Sequence, residues 1–474
     1  MSELLVRAGQ GAALPANIRS FTLSFVQKIC SLRLKKHYSF TSLLIHSLNT
    51  LDRTLAPPVQ PLARVTLPDA AVSTLPGGAR LHVLHNAAQP VVRLQAVFRA
   101  GKTGEPRPGV ASLTARMLLE GTTTRTARQI ADEVAFYGAS LECDSGFDRA
   151  TLTLYCLTRH LPVLLPLVAD VLANPAFPVA ELEQLKTRTI QNVRVERQKT
   201  SFLASERFNE LLFGAETPYG QPFDADAYQA LTAADAAAFH RAAYSLANAE
   251  VFLCGDVVAE SAAVAATFSQ AQVGTQLLTE TSATPASQTQ GTVDRVAVAG
   301  SLQASLRLGR PWPSLHHADT HRLKLLVNVL GGYFGSRLMR NIREDKGLTY
   351  GIYASVAPRE HGTSLVIGTD VKGESADFAV REINRELRRL QEELIPAEEL
   401  TTVKNYLLGK FANELSTVFE QCDKYKNLVF MGLPATYYDD FVHQTEAAEA
   451  GTLRDLAREY LAPEALLTVV AGPG

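Results

Sequence analysis

The sequence predicts an α+β fold of two homologous α/β-sandwich domains, each an antiparallel-rich sheet with helices packed on it, joined by a linker. Three observations predict this fold: strand and helix patterns alternate, a set of motifs recurs in the second half, and a polar stretch separates the halves. At about 150 residues per domain, the 474 residues are enough for two such domains with large cores.

Alternating and helical apolar patterns follow one another through the first half. Strands are expected at Arg80–Leu84, Val91–Arg99, Thr151–Leu157 and Val251–Cys254. Helices are expected at Val110–Glu120, Ala127–Tyr137, Leu161–Ala173 and Val179–Gln198. Thr126, followed three residues later by Gln129, is typical of a capping box, and it therefore predicts where the second of these helices begins.

Composition divides the chain into four stretches. Residues 1–60 carry six basic residues and one acid before Asp52, and we expect an N-terminal extension that is disordered or not native to the mature protein. Residues 61–270 and 295–474 are expected to be the two domains. Between them, residues 271–294 are rich in Thr, Ser, Gln and Ala, which favours an interdomain linker.

The second half repeats motifs of the first in the same order. Tyr137-Gly138 recurs as Tyr350-Gly351. Further along, Pro178-x-x-Glu-Leu-x-x-x-Lys recurs at Pro396 with the same internal spacing. The two copies of the Pro motif are slightly further apart in the sequence than the two copies of the Tyr-Gly motif. A loop insertion in the second half produces such a difference. The two halves are therefore predicted to share one fold.

The composition excludes several classes of protein. The formal net charge is −2, which argues against a nucleic-acid binder. The five cysteines are scattered without a C-x-x-C pair, which excludes a cysteine-based zinc module. No apolar run approaches the length of roughly 18 residues that a membrane-spanning helix needs, so no transmembrane segment is expected. We expect a soluble protein of the cytoplasm or periplasm, or of an organelle if the N-terminal segment is a transit peptide.

Several motifs resemble those of the pitrilysin or insulinase-like inverted zinc peptidases. The stretch FRAGKTGEPRPGVASLTARMLLEGT, residues 98–122, matches the segment that in this family carries a His-x-x-Glu-His helix before a Met-Leu-x-x-Gly-Thr ending. The stretch VLGGYFGSRLMRNIREDKGLTYGIYASV, residues 329–356, is the most specific match. The resemblance extends over about 410 residues and implies two clam-shaped domains that form half of a peptide-enclosing chamber.

The residues of the zinc motif are replaced in this chain. By the resemblance, Ser112 and Arg116 stand where the two zinc-binding histidines belong, and Ala115 stands at the catalytic glutamate position. Asn192, at the family's spacing after Arg116, stands where the third ligand, a glutamate, belongs. A guanidinium has no lone pair and repels Zn²⁺, so we expect no cofactor in this chain. Arg116 is instead expected to occupy the metal's space and to pair with Glu120.

The resemblance also implies functional residues in the second half. The family has an Arg and a Tyr, seven residues apart, that reach across the chamber to the zinc site, and Arg343 and Tyr350 have this spacing. The tyrosine hydroxyl can donate to the carbonyl oxygen as negative charge develops. Gly331, Gly332 and Gly335 are expected to end the preceding helix and to allow a substrate-contacting loop on the chamber wall.

One histidine cluster needs a separate interpretation. His316, His317 and His321 form the only cluster of three histidines in the sequence, and His317 and His321 could share a helical face. No glutamate follows them in the inverted pattern. We therefore expect a polar, exposed first turn of a helix rather than a metal site.

Three functions fit these features. The first is a zinc-free subunit of a heterodimeric peptidase, which supplies Arg343 and Tyr350 to a homologous partner with an intact zinc motif. Zinc is then expected on the partner, and the substrate is an unfolded peptide. The second is a structural homologue like the core subunits of the respiratory cytochrome complex. The third is a peptide-binding chaperone or receptor. In none of them is the chain alone a self-sufficient metalloprotease.

Overall fold

The computed structural model describes residues 54, 67–257, 260–270 and 291–473. The chain divides into two units, Met1–Pro61 and Leu62–Gly474, and apart from Thr54 all described residues belong to the second. The extension expected over residues 1–60 and the linker up to residue 290 thus lie outside the described residues. A strand begins at Val293, within the last two residues of the expected linker.

The first half contains a six-stranded sheet. Its strands are β1 (Ala71–Thr74), β2 (Arg80–His85), β3 (Val91–Phe98), β4 (Ser140–Ser145), β5 (Ala150–Leu157) and β6 (Glu250–Gly255). The order across the sheet is β1-β2-β6-β3-β5-β4, and every neighbouring pair is antiparallel except β2 and β6. The four strands expected from sequence are confirmed to within one residue or two at each end.

Eight helices of the described chain belong to this half. They are α1 (Val110–Met117), α2 (Ala127–Phe136), α3 (Leu161–Ala173), α4 (Val179–Glu196), α5 (Thr200–Phe213), α6 (Ala225–Gln229), α7 (Ala233–Ala243) and α8 (Ser261–Gln270). The capping box of Thr126 and Gln129 is present and opens α2 as expected. Helix α1 ends before the expected Glu120, and Gly121 with φ of +138° redirects the chain soon afterwards.

The second half contains a five-stranded sheet. Its strands are β7 (Val293–Ala297), β8 (Gln303–Pro311), β9 (Ile352–Arg359), β10 (Gly362–Lys372) and β11 (Leu467–Gly472). The order is β7-β11-β8-β10-β9, with β7 and β11 parallel and the other pairs antiparallel. This order matches β2-β6-β3-β5-β4 of the first sheet, so the predicted internal repeat is confirmed at the level of topology.

Six α-helices of the described chain belong to this half. They are α9 (Thr320–Val327), α10 (Ala376–Glu392), α11 (Ala397–Asn413), α12 (Val418–Met431), α13 (Tyr437–Ala447) and α14 (Ala450–Tyr460). Two π-helical segments, Asn328–Gly332 and Met339–Asp345, lie between α9 and β9. No helix among the described residues is long and apolar enough to cross a membrane.

Helix α5 of the first half packs on the sheet of the second half. Phe208 of α5 forms a buried cluster with Leu467 and Val469 of β11. The hydroxyl groups of Thr200 and Ser305 are hydrogen-bonded at 2.9 Å at the start of the same helix. An element of the first half thereby forms a separate buried cluster with the sheet of the second.

Helix α12 of the second half packs on the sheet of the first half in the same way. The buried cluster between them comprises Leu84, Val97, Phe252, Cys254, Val418 and Cys422. Arg93 of β3 donates to both carboxylate oxygens of Asp423 at 2.9 and 3.1 Å. Because α5 and α12 begin equally far beyond the repeated motifs at Pro178 and Pro396, the exchange of helices is reciprocal.

Candidate functional site

The start of helix α1 is fixed by a glycine and a carboxylate. Gly109, with φ of +86°, is the N-cap residue, and a side chain there would meet the Tyr228 ring at 2.4 Å. The carboxylate of Glu105 accepts from the backbone N–H groups of Gly109 and Ala111 at 3.0 and 3.2 Å. Burial nevertheless raises the pKa of Glu105. These contacts set the position of the residues at the replaced zinc motif.

The replaced motif residues occupy different environments on α1 and α4. Ser112 is half-buried and donates to the backbone oxygen of Gly109 at 3.2 Å, while Ala115 is fully buried. Arg116 is exposed, and its Nη1 donates to Thr189 Oγ1 of α4 at 3.0 Å.

Asn192 is exposed one turn further along α4. The hydrogen bond between Arg116 and Thr189 places the helix turn of Arg116 beside the turn of α4 that precedes Asn192.

These side chains do not fit a zinc ion. Zinc in proteins is bound by thiolates, imidazoles and carboxylates, whereas the four positions offer a hydroxyl, a methyl, a guanidinium and an amide. The guanidinium is both permanently charged and without a free lone pair. In the part of the chain that the structure describes, no group of three or more His, Cys, Asp or Glu residues is placed to hold a metal.

The expected pair of Arg116 with Glu120 is wrong. Arg116 donates to Thr189 instead and forms no ion pair with Glu120 among the described residues, although its charge, like that of Arg188 at 3.8 Å, lowers the pKa of Glu120. Burial raises the pKa of Glu120, and the neighbouring carboxylate of Glu181 adds to the shift. An exposed guanidinium with a hydroxyl acceptor needs no carboxylate partner, which is why the helical i,i+4 spacing did not decide the contact.

The histidine cluster is only partly as expected. His316 Nε2 lies 2.8 Å from the backbone oxygen of Met431, and His317 Nδ1 accepts from the backbone N–H of Asp319 at 3.1 Å. His321, by contrast, is 3% exposed and packs against aromatic rings, so the expected exposed turn is wrong for this residue. The three side chains therefore have separate structural partners.

In the second half, Arg343 lies in the π-helical segment Met339–Asp345. Gly347, with φ of +61°, turns the chain after this segment, and its N–H donates to the Arg343 carbonyl at 3.1 Å. The Arg343 guanidinium lies 4.6 Å from the ring centroid of Phe334, which is 62% exposed. This cation–π contact holds the guanidinium at the surface without neutralising its charge.

Tyr350 projects almost entirely into solvent from a pinned turn. Its exposed fraction is 97%. The hydroxyl of Thr349 donates to the Asp370 carbonyl at 2.7 Å and accepts from the Gly351 N–H at 3.1 Å. The hydroxyl of Thr369 donates to the Gly351 carbonyl at 3.0 Å. The backbone on both sides of Tyr350 is thus fixed, while its own hydroxyl has no hydrogen-bond partner among the described residues.

The three glycines before this segment allow close packing. A side chain on Gly331 would lie 2.7 Å from the backbone nitrogen of Ala354 in β9, so glycine permits the loop to approach the sheet. Gly332 and Gly335 flank Phe334, the aromatic residue beneath Arg343. Sequence reasoning missed Phe334, although a large aromatic residue between glycines in a loop could have indicated it.

The two candidate regions are separate within this chain. No hydrogen bond or ion pair among the described residues joins Arg343 or Tyr350 to Ser112, Arg116 or Asn192. The first region therefore presents a hydroxyl and a guanidinium that are both held by neighbouring oxygens. The second region has a cation and a phenol that face outwards.

Two family models match the chain over the regions just described. Residues 81–215 match "Insulinase (Peptidase family M16)", and residues 230–407 match "Peptidase M16 inactive domain". The first covers α1 with the replaced zinc positions, and the second covers Arg343 and Tyr350.

Curated relatives are distant but span most of the chain. A protein of Helicobacter pylori named non-peptidase homolog YmxG is 23% identical over 79% of this chain and 87% of its own length. A protein of Bacillus subtilis named uncharacterized zinc protease YmxG is 22% identical over 77% of this chain and 89% of its own length. The names of these two relatives differ on whether they are peptidases.

Solved structures confirm the fold. A peptidase M16 inactive domain from Pseudomonas fluorescens superimposes with a TM-score of 0.78 at 26% identity, over 85% of this chain and 98% of that one. A protease from Helicobacter pylori gives a TM-score of 0.78 at 18% identity, over 86% of this chain and 100% of that one. With the replaced zinc motif and the matched topology, the chain belongs to the M16, or insulinase-like, peptidase family as a member of the inactive type.

Proposed function

We propose that this chain is the zinc-free subunit of a two-chain peptidase and supplies Arg343 and Tyr350 to the active site of a homologous partner. The observation that carries the proposal is Tyr350, a 97% exposed tyrosine on a backbone fixed at both sides. Because its ring is almost entirely in water, Tyr350 contributes no buried apolar area to the stability of the fold. A partner that covers the ring would account for this exposure.

The chemistry of the pair follows from its two groups. The Tyr350 hydroxyl donates to the carbonyl oxygen of the scissile peptide bond as negative charge develops there. The Arg343 guanidinium, held by Phe334 rather than by a carboxylate, keeps its full charge for the substrate backbone. The loop with Gly331, Gly332 and Gly335 forms part of the wall that the substrate contacts.

The partner supplies what the first half of this chain lacks. It carries an intact His-x-x-Glu-His motif, whose metal provides the activated water, and the two chains enclose an unfolded peptide between them. The name of the Helicobacter pylori relative, non-peptidase homolog, agrees with a chain that does not cleave peptides alone.

The test uses the reconstituted pair and a quenched fluorescent peptide under single-turnover conditions. Tyr350→Phe keeps the ring but removes one donor to the oxyanion, so the rate should fall by about 10²–10³-fold. Arg343→Gln should also raise KM, because it removes a cation that binds substrate in the ground state. Zinc content and pairing should stay unchanged in both variants.

Tyr353→Phe is the matched control, because this tyrosine lies three residues away in β9 and is 45% exposed. Its turnover should equal that of the unchanged pair. Full activity in Tyr350→Phe would refute the shared site and favour a structural role for the chain.

One observation favours a second candidate function, peptide binding without cleavage. A cavity of about 320 Å³ beside Ser112 is lined mainly by apolar groups, including Phe147 and Phe223. Tyr228 also lines it, and its buried hydroxyl has no hydrogen-bond partner among the described residues. Stable binding of an apolar peptide to the chain alone, lost in Phe147→Ser and persisting uncleaved with every partner present, would support this candidate over the first.

A further inference from the structure

Two cysteines meet where helix α12 of the second half packs on the sheet of the first half. Cys254 is the fifth residue of β6, and Cys422 is the fifth residue of α12. Both side chains are 0% exposed and belong to the same buried cluster. The two thiols lie within hydrogen-bonding reach of each other, and the Cys254 thiol also donates to the backbone oxygen of Arg93 at 3.7 Å. Thiols this close need only a small adjustment of their rotamers to form a disulfide bond.

The equivalent contact in the other half contains no sulfur. Helix α5 packs on β11 as α12 packs on β6, and the fifth residues of these two elements are Ala204 and Ala471. Both alanines are fully buried. The packing of an exchanged helix on its sheet therefore needs only small side chains at these positions. The two thiols of the first contact are not required for packing.

Charged groups beside the pair favour the thiolate form of Cys422. The hydrogen bond with Cys254 lowers the pKa of Cys422 and burial opposes this shift, while the positive charges of two basic side chains add to it. These side chains are Arg93 and Lys426. Arg93 is fixed here because its Nη2 donates to the carbonyl of Phe419, one turn before Cys422, at 2.8 Å. The Nε of Arg93 is buried without a hydrogen-bond partner among the described residues, so an anion beside it would gain from the charge.

Two other cysteines of the described chain provide a contrast. Cys143 and Cys156 lie in the core of the first half, and burial raises the pKa of each thiol to about 12. Neither thiol is affected by a second cysteine or by a cation among the described residues. Within the part of the chain that the structure describes, only Cys254 and Cys422 therefore combine a neighbouring thiol with a neighbouring positive charge.

We propose that Cys254 and Cys422 form a reversible disulfide bond that joins the two halves, with hydrogen peroxide as the oxidant. The Cys422 thiolate attacks one oxygen of the peroxide, so that an S–O bond forms, the O–O bond breaks and hydroxide leaves. The Cys254 sulfur then attacks the sulfur of this sulfenic acid, so that the S–S bond forms and the S–O bond breaks. The protons of the two thiols leave with the two hydroxides as water. Both sulfur atoms are thereby oxidised and one peroxide is reduced.

The disulfide bond constrains the contact between the halves. It connects segments that lie about a third of the chain apart, and a cross-link over so long a loop strongly reduces the entropy of the unfolded state. Oxidation therefore holds α12 on the first sheet, and reduction by a dithiol releases it. The proposal does not depend on a peptidase partner, because both thiols belong to this chain.

Peroxide treatment of the full chain, followed by peptide mapping without reduction, tests the site. A linked pair of peptides that carry Cys254 and Cys422, lighter by two hydrogen atoms, should appear and should be lost on addition of dithiothreitol. The oxidised chain should melt about 3–8 °C above the reduced chain. In Cys254→Ala the reaction should stop at the sulfenic acid, so dimedone should label Cys422.

The contact between α5 and β11 supplies the matched control. The double variant Cys254→Ala, Cys422→Ala copies the alanines of that contact, so it should fold, and its melting temperature should not respond to peroxide. Cys156→Ala removes a buried thiol elsewhere in the first half and should keep the response.

The peptide map of the unchanged chain decides the proposal whether or not these variants fold. Absence of the linked peptides, or linkage of either cysteine to Cys143 or Cys156, would overturn it. Oxidation of Cys143 and Cys156 as fast as that of Cys422 would also overturn it, since the reaction would then follow unfolding rather than the arrangement of the pair.

Discussion

The two halves of the molecule share one strand order but differ in what they present to solvent. In the first half, α1 presents Ser112 and Arg116, which are held by neighbouring oxygens, and buries Ala115 completely. In the second half, a pinned turn presents Tyr350 with its hydroxyl unused. Two copies of one strand order therefore present different side chains to solvent. A shared fold thus does not fix which side chains its surface presents.

The largest expected change is the restoration of a metal site in the first half. The triple variant Ser112→His, Arg116→His, Asn192→Glu places two imidazoles one helical turn apart and a carboxylate on the adjacent α4. It should retain about one zinc per chain by elemental analysis after dialysis, whereas the unchanged chain should retain none.

The double variant without Asn192→Glu is the control, and it should hold zinc weakly because only two ligands remain. Stoichiometric zinc in the unchanged chain, or none in the triple variant, would show that these positions do not form the former metal site.

The next largest effect concerns the exchanged helices. Phe208 belongs to the first half but is 2% exposed in the buried cluster that α5 forms with β11 of the second. Phe208→Ala should lower the free energy of unfolding by about 3–5 kcal/mol, and both halves should still unfold in a single transition. Chemical denaturation followed by circular dichroism measures this. Phe136→Ala, at an 81% exposed position, should have almost no effect. Two separate transitions would contradict the interdependence of the halves.

Acid should lower the free energy of unfolding through His240 in the first half and His321 in the second, by similar amounts. Burial lowers the pKa of His240 to about 4 and that of His321 to about 4. For His321, Lys324 and Arg322 act in the same direction, while Asp440 opposes them.

A folded-state pKa below the unfolded value of about 6.5 means that the unfolded chain binds the proton first. The stabilisation is thus complete above pH 6.5 and is lost as the pH falls towards 4.

Each histidine should account for roughly 2–3 kcal/mol of the stability lost between pH 7 and pH 4.5. Thermal melts of His240→Gln and His321→Gln at the two pH values measure how much of the acid-dependent loss of stability each histidine causes. A variant whose loss on acidification equals that of the unchanged chain would show that its histidine does not titrate across this interval.

The smallest expected effect is that of Arg116→Ala. The side chain is exposed and donates a single hydrogen bond to a hydroxyl, so the free energy of unfolding should change by less than about 0.5 kcal/mol. Arg125→Ala is the comparison, because Arg125 donates to Asp170 at 2.7 Å and Glu133 at 3.2 Å. It should cost about 1–3 kcal/mol. A loss above about 1 kcal/mol in Arg116→Ala would instead support the ion pair with Glu120 that the sequence predicted.

Local sequence signals predicted the elements well because they act over a few residues. Helix α3 has the expected bounds Leu161–Ala173, and the capping box of Thr126 with Gln129 is present. The motif repeat also predicted the shared strand order. These signals are set by periodicity and capping, which depend on neighbours along the chain.

Contacts between distant segments were not predictable in the same way. Nothing in the pattern of α5 distinguishes packing on its own sheet from packing on the other, since both sheets offer an apolar face. His321 was expected to be exposed because its neighbours in sequence are polar, yet Tyr437 and Phe441 of α13 cover it. The cation–π contact of Phe334 could not be predicted either, because it depends on the fold placing Arg343 above the Phe334 ring.

The exchange of helices also constrains how the chain is made. The face of the first sheet that carries Leu84 and Phe252 is covered by α12, whose first residue, Val418, is synthesised long after Phe252. At the usual rate of translation, this face of the sheet stays uncovered for on the order of 10–30 s until α12 has been synthesised. During that interval an apolar surface is open to other nascent chains, so efficient production should require a chaperone that shields the first half until α12 emerges.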